Sequence, residues 1–334
     1  MFAKKVIPKI IYNNKDISKD IRNFLKNVSY TDPLSNKADD LSIEVENSLK
    51  LWSGDWYPTK GDTLEVSFIQ SLNSQDTEIP VGKFEIDEIE ISGLPSIANI
   101  KAVSIPDNTG LRGVDKNRAW EKYTLSKIAT DIANLTNMQL IYSADYDPEI
   151  ERAEITEESY LAFLQKLCND NGMALKVSSG NIAIFEEYKY EQAEPVGEID
   201  FNLTRNISYS FNSKLRDIYK ACHVKYLDSG KGLTIEATFT DPNKEVGQTL
   251  EINKQVASIA EAERLAKQEL RNKNKEEVTA EIELDTAVFY YAGQTLTFKN
   301  IQVFDGKYII TNVACSVGNG VTTKLSLRRC LNGY

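Results

Sequence analysis

The chain has 334 residues, 41% of them apolar and 9% aromatic, which is material for about two domains with cores of their own and not for a disordered polypeptide. Its formal net charge of -10, from 39 Lys and Arg against 49 Asp and Glu, excludes a protein that wraps nucleic acid, because phosphate binding needs clustered positive charge. No stretch approaches the ~18 uninterrupted apolar residues of a membrane span, so no membrane insertion is expected.

Taken from the N-terminus, Met1 to Lys9 is basic but lacks the apolar run of a secretory signal. From Lys5 to about Ile105 the chain reads as strands. Leu41, Ile43 and Val45 alternate with polar neighbours, as do Leu64, Val66 and Phe68, the period of sheets buried on one face. Between Phe84 and Ile91 the alternation changes phase: Phe84 and Ile86 share one face, Ile89 and Ile91 the other. That slip predicts a β-bulge. Trp52, Trp56 and Tyr57 cluster beside a turn, either as a contact hot spot or sugar platform, or as a plug closing the end of a barrel.

The pattern changes after Pro106. Leu125, Ile128, Ala129, Ile132 and Leu135 recur at helical spacing, predicting a helix over Thr124 to Asn134. Met138 to Tyr142 reads as a strand. A second helix is expected with Thr156 as its N-cap, Phe163, Leu164, Leu167 and Cys168 as its stripe, and Asn171-Gly172 as its end. Leu175 and Val177 then pair with Ile182 and Ile184 as a hairpin. The acidic, Pro- and Gly-punctuated stretch Tyr188 to Asp200 reads as a solvated linker. Strands resume around Ile207, Cys222 and Ile235. Ser258 and Glu261 form a capping box for one helix at about 258–274, and strands run on to Leu327.

The expected fold class is therefore mainly β with an α+β insert: two β-barrel, tube-like modules flanking a small α+β domain. The expected divisions are 1–105, 106–187, a linker at 188–200, and 201–334.

One pattern occurs twice. Gly61-Asp62-Thr63-Leu64-Glu65-Val66 precedes Gly82-Lys83-Phe84-Glu85-Ile86-Asp87-Glu88-Ile89. Gly293-Gln294-Thr295-Leu296-Thr297-Phe298 precedes Gly306-Lys307-Tyr308-Ile309-Ile310-Thr311-Asn312-Val313. A chain holding two copies of one β-module mimics two subunits of a ring, so three chains would present six similar faces.

Catalytic signals are weak. His223 is the only histidine, and strand alternation sets it on the face opposite Cys222, so the pair does not read as a base and its nucleophile. Cys168, Cys222, Cys315 and Cys330 are scattered and read as reduced thiols. Asp145-Tyr146-Asp147-Pro148-Glu149 has alternating carboxylates but no glycine at the sixth position of a calcium loop. Gly230-Lys231-Gly232 lacks the rest of a phosphate loop and reads as a hairpin turn. No catalytic residue, metal site or cofactor is expected.

The run Trp56-Tyr57-Pro58-Thr59-Lys60-Gly61-Asp62-Thr63-Leu64, followed by Gly82-Lys83-Phe84-Glu85-Ile86-Asp87, resembles the first β-domain of phage late control D proteins, the baseplate hub family. Arg118-Ala119-Trp120-Glu121, Tyr123 to Ala129 and Glu158 to Leu164 resemble that family's insert. The resemblance implies a non-enzymatic homotrimer in which two barrels per chain build a pseudo-sixfold ring between a hexameric tail tube and a trimeric spike. Implied partners are the tail tube protein, a spike or tip protein and other baseplate proteins, with DNA passing through the lumen without specific binding. Glu65, Ser67, Thr295 and Thr297 are the candidate lumen-lining positions. The particle is expected to assemble in the bacterial cytoplasm. Because the chain ends at Tyr334, soon after the second module, the tip is expected to be another polypeptide; a type VI spike base would carry a fused needle. The competing expectation is a tail-associated cell-wall hydrolase or carbohydrate-binding protein.

Overall fold

The computed structural model describes residues 5–72, 75–105, 110–111, 113, 116–204, 207–228, 232–284 and 289–334. Pro106, where the sequence changes character, and Gly230-Lys231 of the expected hairpin turn lie outside them. The first β region comprises β1 (Lys5–Tyr12), β2 (Lys15–Asp16), the short α1 (Ser18–Ile21), β3 (Leu25–Pro33), β4 (Asp40–Glu46), β5 (Thr63–Leu72), β6 (Gln75–Ser92) and β7 (Ile97–Val103). Alternation does what the sequence predicts: Leu41, Ile43, Val45, Leu64, Val66 and Phe68 are all buried in one core. The phase change in β6 is a register shift against β7 between Ile86 and Glu88.

The insert contains β8 (Lys116–Thr124), α2 (Leu125–Leu135), β9 (Gln139–Ser143), β10 (Glu149–Glu158), α3 (Tyr160–Asp170), β11 (Ala174–Ser178) and β12 (Asn181–Phe185). Strands β8 and β10 pair antiparallel, while β12 lies between antiparallel β11 and parallel β9. The two helices and both small sheets share a core around Ile128, Ile132, Phe163, Leu164, Leu175 and Ile184. Thr156 is not the cap of α3. It belongs to β10, and Ser159 caps the helix, its Oγ accepting from Ala162 N–H at 3.2 Å. Asp147, from the calcium-like run, accepts from Ser126 N–H at 2.9 Å in the first turn of α2, a structural use of that carboxylate.

Next come α4 (Glu187–Gln192), β13 (Gly197–Asp200), β14 (Ile207–Ser213), β15 (Ala221–Asp228), β16 (Leu233–Thr240), β17 (Thr249–Ile252), α5 (Ile259–Asn274), β18 (Val278–Leu284), β19 (Thr295–Lys299), β20 (Gly306–Val317) and β21 (Val321–Arg329). The expected linker is thus a helical turn and a strand. Strands β15 to β17 form a sheet of their own, covered by α5 through Cys222, Val224, Ala262, Leu265, Ala266 and Leu270. Period-two alternation marks a strand but not the sheet it joins, which is why sequence places these strands in the second barrel. Ser258 and Glu261 form the expected capping box: Ser258 Oγ accepts from Glu261 N–H, and the Glu261 carboxylate accepts from Ala257 N–H.

The remaining strands of the two end regions join in one 13-stranded sheet, along β14-β18-β21-β20-β3-β4-β7-β6-β5-β1-β2, with β19 beside β20 and β13 beside β19. No pairing among the described residues closes this path into a barrel, and the strands of the two expected tube-like modules belong to one continuous, branched sheet.

Within it, the sequence repeat is a repeat of register. Reading across strands, Thr31, Asp40, Val103, Glu85 and Thr63 stand opposite one another in turn. Asn212, Thr279, Arg328, Ile309 and Thr295 do the same in the second half. Gly61 N–H donates to Ile86 O, and Ile86 N–H donates to Asp62 O; Gly293, Ile310 and Gln294 repeat both bonds. Gly61 and Gly293 have φ of 88° and 90°, Gly82 and Gly306 of 146° and 141°. Even the ring pairs match: Tyr30 meets Phe84 edge-on at 5.9 Å, and Phe211 meets Tyr308 edge-on at 6.0 Å.

A Cβ at Gly293 would stand 3.2 Å from Tyr190 and 3.3 Å from Leu34, whereas one at Gly61 would meet nothing within 4 Å. Both positions carry the left-handed strain of about 1–2 kcal/mol for a non-glycine residue. Gly293→Ala should therefore destabilise the chain more than Gly61→Ala, as read from the two urea unfolding midpoints.

Candidate functional site

The aromatic cluster divides. Trp52 is buried, while Trp56 and Tyr57 are 39% and 51% exposed. Trp56 meets Trp52 and Phe24 edge-on at 5.6 and 5.7 Å. Trp52, Trp56 and Tyr57 line one side of a cavity of about 490 Å³ that reaches Ile10, Ile43, Leu64 and Ile100 at the end of the first core.

The four candidate lumen positions do not share one environment. Glu65 is exposed and lies 3.6 Å from Lys83 across the strand pair. Its counterpart Thr297 is half-buried and faces Lys307 in the same register. Ser67 is buried, donating to Glu78 at 2.6 Å. Thr295 is buried too, its hydroxyl donating to Ala193 O at 3.1 Å. Covered side chains cannot line an open channel, so Glu65 and Thr297 are the two that reach solvent.

The stretch read as a solvated linker carries the most concentrated buried charge in the second half. Glu187 and Glu191 on α4 receive Arg328 of β21, which is 1% exposed. Arg328 Nη2 donates to Glu187 at 2.8 Å. Nη1 lies 2.5 Å from Glu191, an ion pair by proximity without an aligned N–H. Arg271 of α5 donates to Glu191 at 2.5 Å, Lys275 to Glu187 at 3.1 Å, and Leu331 N–H to Glu191 at 3.1 Å. Burial pushes Glu187 up, but Arg328, Lys275 and Arg271 outweigh it and hold its carboxyl below the usual range. Sequence alone reveals two glutamates four places apart, each next to a tyrosine, not the cations that meet them.

A second cluster fastens the insert to the large sheet. Lys176 of β11 donates to Asp32 and to Pro33 O, and lies 3.0 Å from Asp39. Asp39 also accepts from Ser178 at 2.7 Å, and Asp32 from Ala292 N–H at 2.8 Å. Burial raises Asp39 against the pull of Lys176 and Ser178. Burial likewise lowers Lys176, but the two aspartates outweigh it and raise the ammonium group.

Burial pushes the thiols of Cys168, Cys222 and Cys330 up to about 12 and that of Cys315 to about 11, far from the thiolate state a nucleophile needs. His223 Nδ1 is 2.8 Å from Thr238 Oγ1 on the strand surface. Among the described residues no helix is long and apolar enough to cross a membrane, and no three His, Cys, Asp or Glu side chains gather as a metal site.

No family profile matches the chain. A probable baseplate hub protein of Escherichia phage 186 is 27% identical over 58% of the chain. In sequence the chain is similar to phage baseplate hub proteins. It spans about half of that curated relative, 48% of its length. In fold it is similar to a tail protein from Neisseria meningitidis MC58, with a TM-score of 0.73, 13% identity, and 97% and 96% of the two chains covered. An Escherichia coli component of the type VI secretion system, itself described as structurally similar to phage T4 tail proteins, aligns with a TM-score of 0.54 at 11% identity. That alignment covers 100% of this chain and 79% of the other. These two likenesses are of fold alone.

Removing one partner from a buried ion pair leaves an uncompensated charge, at about 3–5 kcal/mol. Glu191→Gln should lower stability by that order in chemical unfolding, and Arg328→Met should be better tolerated than Arg328→Ala because it refills the space. Glu187 titrates below its ordinary 4.5 when folded, so its contribution is complete above that pH and fades as pH falls through the depressed value. The unfolding midpoint should therefore drop below pH 4.5, and drop less steeply in Glu187→Gln.

Proposed function

We propose that this chain is a structural hub of a contractile tail or related injection particle. In this reading it is a homotrimer whose paired β modules present a pseudo-sixfold rim, joining a hexameric tail tube to a central trimeric spike. The observation that carries it is the duplication: two halves with one strand order, one register, two matched glycine conformations and a matched aromatic pair. A ring of three such chains would offer six near-equivalent positions. The sequence relationship to a probable baseplate hub protein supports the same assignment.

The domain plan of this proposal keeps 1–105 and 106–187 as module and insert, and treats the sheet of β15 to β17 with α5 as a second appended unit. Each half-sheet acts as a tube-like segment completed by its neighbours. Glu65 and Thr297 take the lumen-facing role, Ser67 and Thr295 do not. The neighbours would be the tube protein, the spike or tip protein and other baseplate proteins, in a particle assembled in the bacterial cytoplasm. An acidic to neutral lumen wall would let DNA slide without holding it.

One observation favours a second reading. Two exposed aromatics beside a cavity also suit carbohydrate stacking, as in a tail-associated wall-binding protein or hydrolase. The raised thiols and His223, held by Thr238 on the strand surface, argue only against a Cys–His hydrolase within that reading.

Light scattering coupled to size exclusion should give three times the monomer mass, and purified cell walls should show no loss of turbidity; a stable monomer together with wall clearing would reverse the ranking. Trp56→Ala should cost about 1 kcal/mol from its lost ring contacts and reduce incorporation into particles. Unchanged incorporation would assign the cluster to the fold alone.

A further inference from the structure

Helix α5 has two faces with different surroundings. Its apolar stripe, Ala262, Leu265, Ala266 and Leu270, packs on the sheet of β15 to β17. On the other side Arg264, Lys267, Arg271 and Lys275 recur at the spacing of a single helix face and form a row of cations. That row looks across a cavity of about 540 Å³ to Tyr146, Asn169 and Met173 of the insert. Gln268, in the same row, lies against Gly172 where any Cβ would collide with it. Its amide reaches Asn169 O at 3.5 Å. Helix and insert therefore meet at Gln268, and the cleft opens beside that contact.

Half of this row is neutralised from within the chain. Glu187 and Glu191, four residues apart on α4, hold Lys275 at 3.1 Å and Arg271 at 2.5 Å. The other half is not. Among the described residues neither Arg264 nor Lys267, both exposed, has a carboxylate within salt-bridge distance. Arg264 lies 3.7 Å over the Tyr146 ring, and Lys267 stands 5.8 Å from the Phe239 ring. Stacking on a tyrosine orients a guanidinium plane and leaves its N–H groups for another acceptor. The carboxylates that line the cavity are already engaged: Glu186 accepts from Asp145 N–H at 2.8 Å, and Glu187 serves Lys275 and Arg328. The cleft thus holds two uncompensated positive charges in a chain whose net charge is -10.

We propose that the Arg264 and Lys267 end of this cleft binds an acidic segment of a partner protein, which presents carboxylates to the open half of the row as α4 presents Glu187 and Glu191 to the other half. Neighbouring positions on one helix face stand about 5–6 Å apart, so two glutamates or aspartates one helical turn apart match the two cations. Arg264 takes one carboxylate through paired N–H groups, and Lys267 takes the other as a point charge. Asn169 and Asn272 line the same cavity and offer side-chain amides to the backbone of such a segment. A phosphate polymer suits the site less, because two free cations beside Glu186 are few for a nucleic acid. The acidic surface elsewhere repels the same segment, so the row also sets where it docks. This inference goes beyond the hub reading and does not depend on its threefold symmetry.

The test uses the full chain and a fluorescein-labelled hexaglutamate peptide, read by fluorescence anisotropy at low salt. Arg264→Gln combined with Lys267→Gln should weaken binding by about tenfold or more, and added salt should weaken the complex of the unaltered chain. Arg216→Gln with Lys324→Gln removes the same charge from exposed positions outside the cleft and should leave binding unchanged. Exchanging the two cations, Arg264→Lys with Lys267→Arg, should retain most of it. Thermal melting verifies that every variant folds. No binding by the unaltered chain, or equal binding by the two glutamine double variants, would overturn the inference. An oligothymidylate of equal charge that binds more tightly and shows the same loss would reassign the row to phosphate and overturn the acidic-peptide assignment. Trimer mass by light scattering is read separately, so a trimer that ignores hexaglutamate would sink this inference and leave the hub reading standing.

Discussion

The pairing of β20 with β3 is the constraint on which the architecture depends. Strand β20 first closes its own hairpin with β19, then leaves that edge to carry the first half of the chain. In doing so it delivers Cys315 and Val317 into a core otherwise built from residues before position 103, apart from the flanking contacts of Phe289 and Val321. The register shift between Ile310 and Asn312 sits at the point where the strand changes partner. A bulge there bends the strand and increases its twist, so one continuous strand can belong to two curved surfaces. The two halves are covalently distant yet share a sheet, and neither has a complete edge without the other.

Charge performs a different task. The cluster around Lys176 and the cluster around Arg328 lie where appended units meet the large sheet: the first between β11 and the segments carrying Asp32 and Asp39, the second between α4, α5 and β21. Buried ion pairs of this type contribute little net stability compared with apolar packing, yet a mismatched arrangement is strongly unfavourable. Their effect is to admit one orientation of insert and helix on the sheet. Hydrophobic seams alone tolerate sliding; a guanidinium enclosed by two carboxylates does not.

Much of this was legible in the residues. The duplicated glycines, the alternation and the phase slip after Ile86 are local signals, and each corresponds to a local feature: a positive φ, a buried face, a bulge. The capping box at Ser258 and the hairpin at Ser178 to Asn181 are equally local. What escaped depends on partners distant in sequence. Glu187 and Glu191 look like parts of a wet acidic stretch until Arg328, more than a hundred residues away, is beside them. Thr295 looks like an outward polar strand residue until Ala193 and β13 cover it. The strands β15 to β17 have the same alternation whichever sheet they join. The closeness of Trp52, Trp56 and Tyr57 is visible in the sequence; the cavity they line is not, because Ile10, Ile43, Leu64 and Ile100 reach it from distant strands.

The duplication is incomplete in one place. Strand β1 runs antiparallel to β5, whereas β13, which occupies the matching place beside β19, runs parallel to it. The polarity of the flanking backbone thus alternates from one half to the other, and with it the pattern of amide and carbonyl groups shown on that side. A partner that met both halves in the same way would therefore find two kinds of backbone edge on this chain. A small reversal in the direction of one short strand is enough to mark one half of the sheet off from the other.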